Sequence, residues 1–214
     1  FWGEWVATRQ AKKTFVCSEL DRDYLAHKLR FQGIETIPNA VSIPEPQPIT
    51  SKPNLLLLGS YDHGANVTGA NFLIEQVWPL IYQQMPEVRL IVAGKNPHNI
   101  RNYGKELPGV EFRGFVEDLD DFYRQTRIVC CPVFGGSGTR VKMVEAAAYG
   151  KPIVATRIGA EGLNRSDGQE FLLRDRPQEF AQACQELIKN DNLCQHLGSK
   201  ARQAAIQYYN RDNI

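Results

Sequence analysis

The stretch VCCPVFGGSGTRVKMVEAAAYGKPIVAT, residues 129–156, decides the predicted fold. It begins with an apolar run and passes through a loop of glycines and small hydroxyl side chains. It then continues at helical spacing and ends, after Gly-Lys-Pro, in a second apolar run. A strand, a glycine loop, a helix and a further strand in this order are typical of a β-α-β unit. The stretch therefore predicts a parallel sheet in which the glycine loop follows the carboxyl end of a strand.

The rest of the chain repeats this alternation of apolar runs and helical segments. Strands are predicted at 14–18, 34–38, 54–60, 88–94, 110–114, 128–133 and 152–156. Helices are predicted at 19–30, 66–84, 118–125, 138–150, 177–189 and 191–208. The strands are continuous apolar runs, which is expected when helices cover both faces of a sheet. We therefore predict an α/β fold with a doubly wound, Rossmann-like parallel sheet.

A proline-rich segment divides the chain into two unequal parts. Residues 39–53 contain four prolines and almost no hydrophobic periodicity, a composition that is typical of a linker. We predict that residues 1–40 are the tail of an N-terminal domain, 41–53 an interdomain linker and 54–214 a C-terminal domain. Because the chain begins with Phe1 rather than Met, we expect it to be a piece of a longer protein.

Composition excludes several classes of protein. The 214 residues carry a formal net charge of +1, so the chain lacks the basic excess of a nucleic-acid-binding domain, and we expect no nucleic-acid partner. The five cysteines are odd in number and form no C-x-x-C pair, which favours a reducing, cytoplasmic setting without disulfides or zinc. The apolar runs are too short to span a bilayer, and contact with the inner face of a membrane stays open.

The residues that follow the glycine loop indicate an anion site. Glycines let the backbone approach a phosphate, and the first N–H groups of a helix have no partners within the helix. Arg140 and Lys142 are predicted in the first helical turn, where positive charge is unfavourable unless an anion is bound there. Glu145 lies three residues after Lys142, on the same helix face, and could accept hydrogen bonds from ribose hydroxyls. Together these residues suggest a nucleotide-sugar.

Simpler interpretations stay open for the same residues. The glycines could form only a tight turn, and Lys142 and Glu145 could form an ordinary surface ion pair. Two other nucleotide-binding motifs are not matched, since the chain lacks both the G-x-x-x-x-G-K-[ST] loop and the G-x-G-x-x-G fingerprint.

The stretch GGSGTRVKMVEAAAYGKPIVAT resembles the G-[AGS]-G-T-R-x-K-x-x-E-A-x-A-x-G-x-P-[IV]-V-x-T signature of glycosyltransferase family 4 (group 1). It is similar in particular to the bacterial branch with GTRLK-type loops. The segments LLLLGSYDHGANVTGANFLIEQVWPLI, RLIVAGKNP and VEFRGFVEDLDDFY resemble the preceding strands, loops and helices of that branch. Upstream, TFVCSELDRDYL and ETIPNAVSI resemble the end of the acceptor domain and the interdomain segment, so the resemblance runs from about residue 14 onward.

This resemblance implies a GT-B architecture of two Rossmann-like domains, of which this chain holds the C-terminal, donor-binding half. It implies transfer of a hexosyl group from a nucleotide-diphospho-sugar with retention of anomeric configuration, and no required metal or other cofactor. The acceptor would be a glycan, a lipid or a small molecule. Because the resemblance places the acceptor domain outside the chain, we expect the chain alone to be inactive in transfer.

The resemblance also assigns site residues by position. The donor diphosphate and sugar are assigned to Gly135, Gly136, Ser137, Gly138, Thr139, Arg140 and Lys142. Glu145 is assigned to the ribose. The base pocket is assigned to Asn96, Gly114, Phe115 and Val116, and the first loop of the domain to Gly59, Ser60 and Asn66. No catalytic residue and no metal ligand is assigned.

The chain departs from the family pattern at two of these positions. Ser137 stands where the family motif Glu-x7-Glu has its first carboxylate, and Ser60 stands where an arginine is common. The first departure favours an alternative function, a non-catalytic nucleotide-sugar-binding or scaffolding domain. An epimerase or a phosphorylase with the same fold is a third interpretation, although the four histidines form no evident catalytic cluster. The sequence does not identify the base, the sugar or the acceptor.

Overall fold

The computed structural model describes residues 10–28, 30–136, 139–163 and 167–214. Their strands are β1 (Thr14–Val16), β2 (Ile34–Thr36), β3 (Asn54–Leu58), β4 (Arg89–Ala93), β5 (Val110–Arg113), β6 (Ile128–Cys131), β7 (Ile153–Ala155) and β8 (Phe171–Leu173). Their α-helices are α1 (Glu19–Asp23), α2 (Gly64–Phe72), α3 (Trp78–Tyr82), α4 (Leu119–Gln125), α5 (Val141–Ala148), α6 (Pro177–Lys189) and α7 (Asp191–Tyr209). Within these ranges, no helix combines the length and the apolar character that crossing a membrane requires.

The main sheet has six strands in the order β5-β4-β3-β6-β7-β8, and every neighbouring pair is parallel. The chain therefore adds strands outward from β3 to one edge and then, starting at β6, outward to the other edge. This reversal between β3 and β6 is a topological switch point, at which the loops on either side diverge and leave a crevice. The doubly wound parallel sheet is the fold that the sequence predicts.

The apolar runs are continuous because the sheet has a hydrophobic core on each face. In β3, Leu55 and Leu57 belong to one core, together with Phe180 of α6, whereas Leu56 belongs to the other, together with Met143 of α5. Successive side chains of a strand point to opposite faces, so both sets are fully buried only when helices cover both faces. The sheet is thus the middle layer of three.

The structure differs from the sequence prediction in the ends of its elements and in one strand. The run from Phe171 to Leu173 forms β8, an edge strand that the sequence analysis does not predict because three apolar residues give too short a pattern. The predicted strands that include Gly59 and Gly94 end one residue before these glycines. The backbone turns there, since Gly94 has a φ of +129°.

The helix predicted over 66–84 begins at Gly64 and is divided into α2, a π-helical turn (Leu73–Val77) and α3. Pro79 explains the division, because proline has no N–H and its ring collides with the carbonyl group four residues earlier. The wider π-helical turn accommodates the proline without ending the helix. The side chain of Trp78 is then 4% exposed, and its indole N–H donates to the Pro108 carbonyl oxygen at 2.8 Å.

The N-terminal segment forms a separate two-stranded parallel sheet of β1 and β2. Ser18 caps the start of α1, since its hydroxyl accepts a hydrogen bond from the Asp21 N–H at 3.1 Å. The segment 41–53 that is predicted as a linker packs on the larger unit. Val41 is buried, the Pro44 carbonyl accepts from Arg202 at 2.7 Å, and the Thr50 carbonyl accepts from Arg127 at 3.1 Å. The division into two domains stays a prediction.

Candidate functional site

A cleft of about 1160 Å³ opens at the switch point, over the carboxyl ends of β3, β4, β5 and β6. Loops that follow four neighbouring strands of a parallel sheet converge there, as they do in other doubly wound sheets. Its described lining residues are Leu58, Gly59, Ser60, Asp62, His63, Gly64, Ala65, Asn66, Gly94, Lys95, Phe115, Val116, Glu117, Leu119, Val133, Gly136, Thr139, Arg140, Val141 and Lys142.

Close backbone contacts form the floor of this cleft. The Gly59 N–H donates to the Ala93 carbonyl at 3.1 Å, and a Cβ atom on Gly94 would lie 1.7 Å from the Gly59 carbonyl oxygen. In α2, a Cβ atom on Gly69 would lie 1.8 Å from the Pro132 carbonyl oxygen. Such distances exclude any side chain, so glycine is required at positions 69 and 94 for the loops after β3, β4 and β6 to approach each other.

The glycine loop after β6 is anchored at its start. The ring of Phe134 packs edge-on against Phe72 of α2, with 4.7 Å between the ring centroids. The Thr156 hydroxyl accepts a hydrogen bond from the Val133 N–H at 3.1 Å and donates to the Val133 carbonyl. Of the residues assigned to this loop, Ser137 and Gly138 lie outside the described residues. The anchored part places Gly136 and Thr139 in the lining, whereas Gly135 lies outside it.

The sequence analysis expects Arg140 in the first turn of the helix, but the structure places it before the helix. The helix α5 begins at Val141, and Arg140 precedes it in an extended conformation with φ −81° and ψ 91°. Its guanidinium group folds back and donates to the carbonyl oxygens of Gly135 and Gly136, each at 3.1 Å. Gly136 has a φ of +95°, a conformation that favours glycine. Arg140 therefore stabilises the turn of the glycine loop.

Lys142 does lie in the first turn of α5, and it joins the two sides of the cleft. Its Nζ donates to the Oδ1 of Asn66 at 2.9 Å, and the amide nitrogen of Asn66 donates to the Ser60 carbonyl at 2.8 Å. The three residues form a chain of hydrogen bonds from α5 through α2 to the loop after β3. Each of them lines the cleft, so the structure brings together the assigned residues of the first loop and of the glycine loop.

The start of α5 combines the N-terminal end of a helix with the charge of Lys142. Among the described residues, no side chain caps the first N–H groups of this helix, and its first turn contains no acidic residue, so these residues do not neutralise the positive end of the helix dipole. Burial raises the pKa of the Cys131 thiol at the end of β6, and the nearby charges of Lys142 and Arg140 oppose that increase. Both observations describe a site that favours an anion.

Thr139 links the glycine loop to the N-terminal segment. Its hydroxyl donates to the carbonyl oxygen of Cys17, which follows β1, at 3.3 Å. A residue of the cleft is thus in direct contact with the part of the chain that the sequence analysis assigns to another domain.

Glu145 lies one helical turn beyond Lys142 and is half-buried, but it is not among the lining residues. Burial raises the pKa of its carboxyl group, because the charged form loses hydration. Beside it, the rings of Tyr123 and Tyr149 stack with 4.2 Å between their centroids, and the Tyr149 hydroxyl donates to Asp120. The carboxyl group of Glu145 in turn contributes to a raised pKa of Tyr123.

Two of the four residues that the sequence analysis assigns to a base pocket line the cleft. Phe115 and Val116 line the cleft, and the ring of Phe115 is 64% exposed. Asn96 and Gly114 lie outside the lining. The amide of Asn96 donates to the two carboxylate oxygens of Asp62 at 2.7 and 2.9 Å, and the Gly114 carbonyl accepts from the Gly94 N–H at 3.0 Å. These two residues support the walls of the cleft through hydrogen bonds.

Four polar residues of the cleft are absent from the sequence prediction. These are Asp62, His63, Lys95 and Glu117. Each follows a strand of the parallel sheet within a few residues, which is the position at which such sheets place ligand-binding groups. Their position after predicted strands could therefore have identified them from the sequence as candidate binding residues. Among the described residues, no cluster of histidine, cysteine and carboxylate side chains could hold a metal ion.

A comparison of the sequence with known families identifies the chain. The sequence model described as "Glycosyl transferases group 1" matches residues 52–190, which include β3 to α6 and the whole lining of the cleft. The chain belongs to the group 1 glycosyl transferases. The family resemblance seen in the sequence is thereby confirmed, whereas the narrower GTRLK-type branch stays a prediction.

Individual members of this family are distant relatives. The chain is 23% identical over 214 residues to an uncharacterized glycosyltransferase of Haemophilus influenzae, with 96% of this chain and 60% of the relative covered. It is 26% identical over 207 residues to a phosphatidyl-myo-inositol mannosyltransferase of Mycobacterium leprae, with 89% of this chain and 54% of the relative covered. The chain thus spans little more than half the length of these relatives.

Solved structures of low sequence identity share the fold. TarM of S. aureus, determined with UDP among its ligands, superimposes with a TM-score of 0.82 at 20% identity over 98% of this chain and 43% of TarM. HepE of Anabaena, in complex with UDP and glucose, gives a TM-score of 0.74 at 19% identity over 96% of this chain and 61% of HepE.

Proposed function

We propose that this group 1 glycosyl transferase chain binds a nucleotide-diphospho-sugar in the switch-point cleft and forms the donor half of a retaining hexosyltransferase. One observation carries the proposal: an uncapped helix N-terminus, a glycine loop and Lys142 converge on one cleft in a chain of this family. The UDP complexes of TarM and HepE support a nucleotide diphosphate as part of the ligand. The acceptor is a glycan, a lipid or a small molecule.

The diphosphate is proposed to lie against the start of α5. Backbone N–H groups at the helix start and in the glycine loop would donate to its oxygens, and Lys142 would supply a positive charge. The Nζ of Lys142 keeps donor hydrogens beyond the one directed at Asn66, so phosphate binding does not require that bond to break. This arrangement neutralises the diphosphate with protein groups alone, and we propose that no metal ion or other cofactor is required.

Glu145 is proposed to accept hydrogen bonds from the ribose hydroxyls. Its half-buried carboxyl group lies one helical turn after Lys142, toward the C-terminus of α5. This position fits a ribose that continues from the phosphates along the side of α5. A ligand hydroxyl would replace part of the hydration that burial removes, which would favour the ionised carboxylate and lower its pKa again.

Transfer with retention is proposed on the family resemblance, with the acceptor bound by a domain outside this chain. Because the chain spans little more than half of its relatives, we propose that it binds the donor by itself without transferring the sugar. Proton NMR of the glycosidic product formed by the longer protein tests the anomeric outcome. A product with inverted configuration would contradict retention.

A non-catalytic nucleotide-sugar-binding or scaffolding domain is the second candidate. Ser137 favours it, because a serine stands where the family motif has its first carboxylate. An assay of donor hydrolysis and transfer with the longer protein separates the two functions. A scaffold would bind the donor and leave it intact during prolonged incubation.

Calorimetric titration of the chain with UDP, GDP, ADP and inorganic pyrophosphate tests donor binding. We expect at least one nucleotide to bind in the presence of excess chelator. The variant Glu145→Gln should weaken nucleotide binding about tenfold, the effect of losing a charge-assisted hydrogen bond, and leave pyrophosphate binding unchanged.

The matched control is Glu179→Gln on the exposed side of α6, which should bind like the wild type. If no nucleotide binds to the wild-type chain, the donor site is wrong. If Glu145→Gln binds nucleotides as tightly as the wild type, the ribose assignment is wrong. Binding that disappears with the chelator would contradict the metal-independent neutralisation.

A further inference from the structure

The end of the cleft away from the glycine loop pairs a cation with an exposed aromatic ring. The Nζ of Lys95 lies 5.1 Å from the centroid of the Phe115 ring, and both side chains line the cleft. The ring is 64% exposed, so a planar ligand can reach it. Asp62 lines the same cleft, but its carboxylate accepts hydrogen bonds from Asn96 and from the Ser60 hydroxyl. Within the described part of the chain, Lys95 forms no salt bridge with Asp62 or any other carboxylate, so its ammonium group is available to a ligand.

The backbone holds the two residues side by side. The Lys95 carbonyl accepts from the Tyr61 N–H at 2.9 Å, and the preceding Gly94 N–H donates to the Gly114 carbonyl at 3.0 Å. Gly114 in turn precedes Phe115. Both side chains thus start from fixed positions at the ends of adjacent strands, while the long lysine side chain can turn from the ring toward a ligand.

The separation from the glycine loop fits a nucleotide. The loop follows β6, and β6, β3, β4 and β5 are successive neighbours in the sheet. Parallel strands lie about 4.8 Å apart, so three spacings place the end of β5 roughly 14 Å from the glycine loop. An extended nucleoside diphosphate is of comparable length. A ligand with its phosphates at the start of α5 would bring its base to Lys95 and Phe115.

We propose that Lys95, beside the Phe115 ring that the family resemblance already assigns to the base pocket, selects bases with a carbonyl oxygen on the edge that faces it, uracil or guanine, over adenine. This inference rests on the proposed function, since a base enters the cleft only as part of a nucleotide. Phe115 offers an aromatic face on which any base can stack. The Lys95 ammonium group is a donor only, so it favours the O4 of uracil or the O6 of guanine, whereas adenine has an amino group at the corresponding position and directs its own hydrogens toward the cation. Lys95 is the specificity-determining residue of the pair.

Calorimetric titration of the chain with UDP, GDP, ADP and inorganic pyrophosphate tests this assignment. The wild type should bind UDP or GDP more tightly than ADP. The variant Lys95→Met should weaken the preferred nucleotide about tenfold and change ADP and pyrophosphate by less than about twofold. The variant Phe115→Ala should weaken all bound nucleotides about tenfold, because stacking tolerates every base, and leave pyrophosphate unchanged. Lys105→Met, outside the cleft, is the control and should bind like the wild type.

The outcomes separate the inference from the proposed function. Equal losses for UDP, GDP and ADP in Lys95→Met would overturn base selection while leaving the donor site intact. A loss of pyrophosphate binding in Lys95→Met would place Lys95 at the phosphates and would also overturn the inference. Failure of every nucleotide to bind to the wild type would overturn the proposed function itself. A wild type that prefers ADP would overturn the selection of carbonyl-bearing bases.

Discussion

Two cationic side chains stand two residues apart at the start of α5 and make different contacts. Arg140 donates to two carbonyl oxygens of the glycine loop, whereas Lys142 donates to a single amide oxygen across the cleft. Both hydrogen bonds of Arg140 come from one terminal nitrogen, whose two hydrogens have fixed directions in the guanidinium plane, whereas the hydrogens of an ammonium group rotate freely. We infer that Arg140 acts mainly on the shape of the loop and that Lys142 acts mainly through its charge.

Exchanging arginine and lysine at these two positions should therefore have unequal effects. We expect Arg140→Lys to weaken UDP binding about tenfold, because the variant keeps the charge and loses the two-carbonyl contact. Lys142→Arg keeps the charge and should bind UDP within about twofold of the wild type. Calorimetry measures the affinities, and hydrogen exchange of the 135–136 amides reports the loop, with faster exchange expected only in Arg140→Lys.

A third variant, Lys142→Met, is the companion to this pair. It should weaken UDP binding most at low ionic strength, because a direct charge–charge contact is screened by salt. If Arg140→Lys binds UDP as the wild type does and its loop amides exchange at the wild-type rate, the two-carbonyl contact has no role in shaping the loop.

Contacts between elements depend on a few positions that have no side chain. The helix α2 approaches the loop after β6 so closely that a Cβ atom on Gly69 would lie 1.8 Å from the Pro132 carbonyl oxygen. Gly64 lies in the first turn of the same helix, and a Cβ atom there would meet nothing within 4 Å. Close packing thus requires glycine at position 69, whereas the space around position 64 would admit a side chain.

Alanine substitutions at these two glycines should change stability in opposite directions. Gly69→Ala should lower the free energy of unfolding by about 1–3 kcal/mol, because the helix and the loop must separate to admit the methyl group. Gly64→Ala should be neutral or should stabilise by up to about 1 kcal/mol, because alanine costs less backbone entropy in a helix. Urea unfolding measures both. A Gly69→Ala variant as stable as Gly64→Ala would contradict the close packing of α2 on the loop.

The sequence predicts the elements that have a long, regular pattern. The runs in β3, β4 and β6 are predicted because both faces of each strand are buried, and the bounds of α6 are predicted because its apolar positions follow a helical period over 13 residues. The predictions fail where a tertiary contact determines whether an element forms or where it begins. A strand as short as β8 is defined by its pairing with β7, and the start of α5 is set by the return of Arg140 to the glycine loop.

The candidate site was predictable to a similar extent. The glycine loop, Lys142 and the first loop could be assigned from motifs, because motifs record residues that are close in sequence. Lys95 could not, because it meets the residues of the glycine loop only through the order β5-β4-β3-β6 of the sheet.

Two arginine side chains connect the C-terminal helices α6 and α7 to other parts of the molecule. The guanidinium group of Arg127 is buried and donates to the Leu187 carbonyl at the end of α6, to the Thr50 carbonyl, and to Asp191 at the start of α7. Arg202 of α7 donates to the Pro44 carbonyl and to the Ala148 carbonyl at the end of α5. Two cations thus fasten the segment 41–53, the end of α5 and the last two helices to each other. The helix α5 is therefore coupled to the stability of the whole unit.

Lys151, in the loop between α5 and β7, destabilises the folded chain. Its side chain is 1% exposed, and its Nζ has no hydrogen-bond partner in the described part of the chain. Burial lowers its pKa from 10.5 to about 8, because the charged form loses hydration. Below pH 8 the folded chain therefore carries a buried charge, whose cost relative to the unfolded chain is about 3 kcal/mol for a shift of this size.

Removing this charge should stabilise the protein in a manner that depends on pH. Between pH 8 and 10.5 the unfolded chain keeps the lysine proton and the folded chain releases it, so the lysine's contribution to stability rises with pH in this window. We expect Lys151→Met to raise the free energy of unfolding by about 2–3 kcal/mol at neutral pH, and this advantage over the wild type to shrink as the pH rises toward 10. Comparing variant and wild type at each pH removes the contribution of other titrating groups. The exposed Lys200→Met is the control and should show no advantage at any pH. An advantage of Lys151→Met that stays constant from neutral to high pH would show that the methionine acts by packing alone and that the pKa of Lys151 is the same in the folded and the unfolded chain.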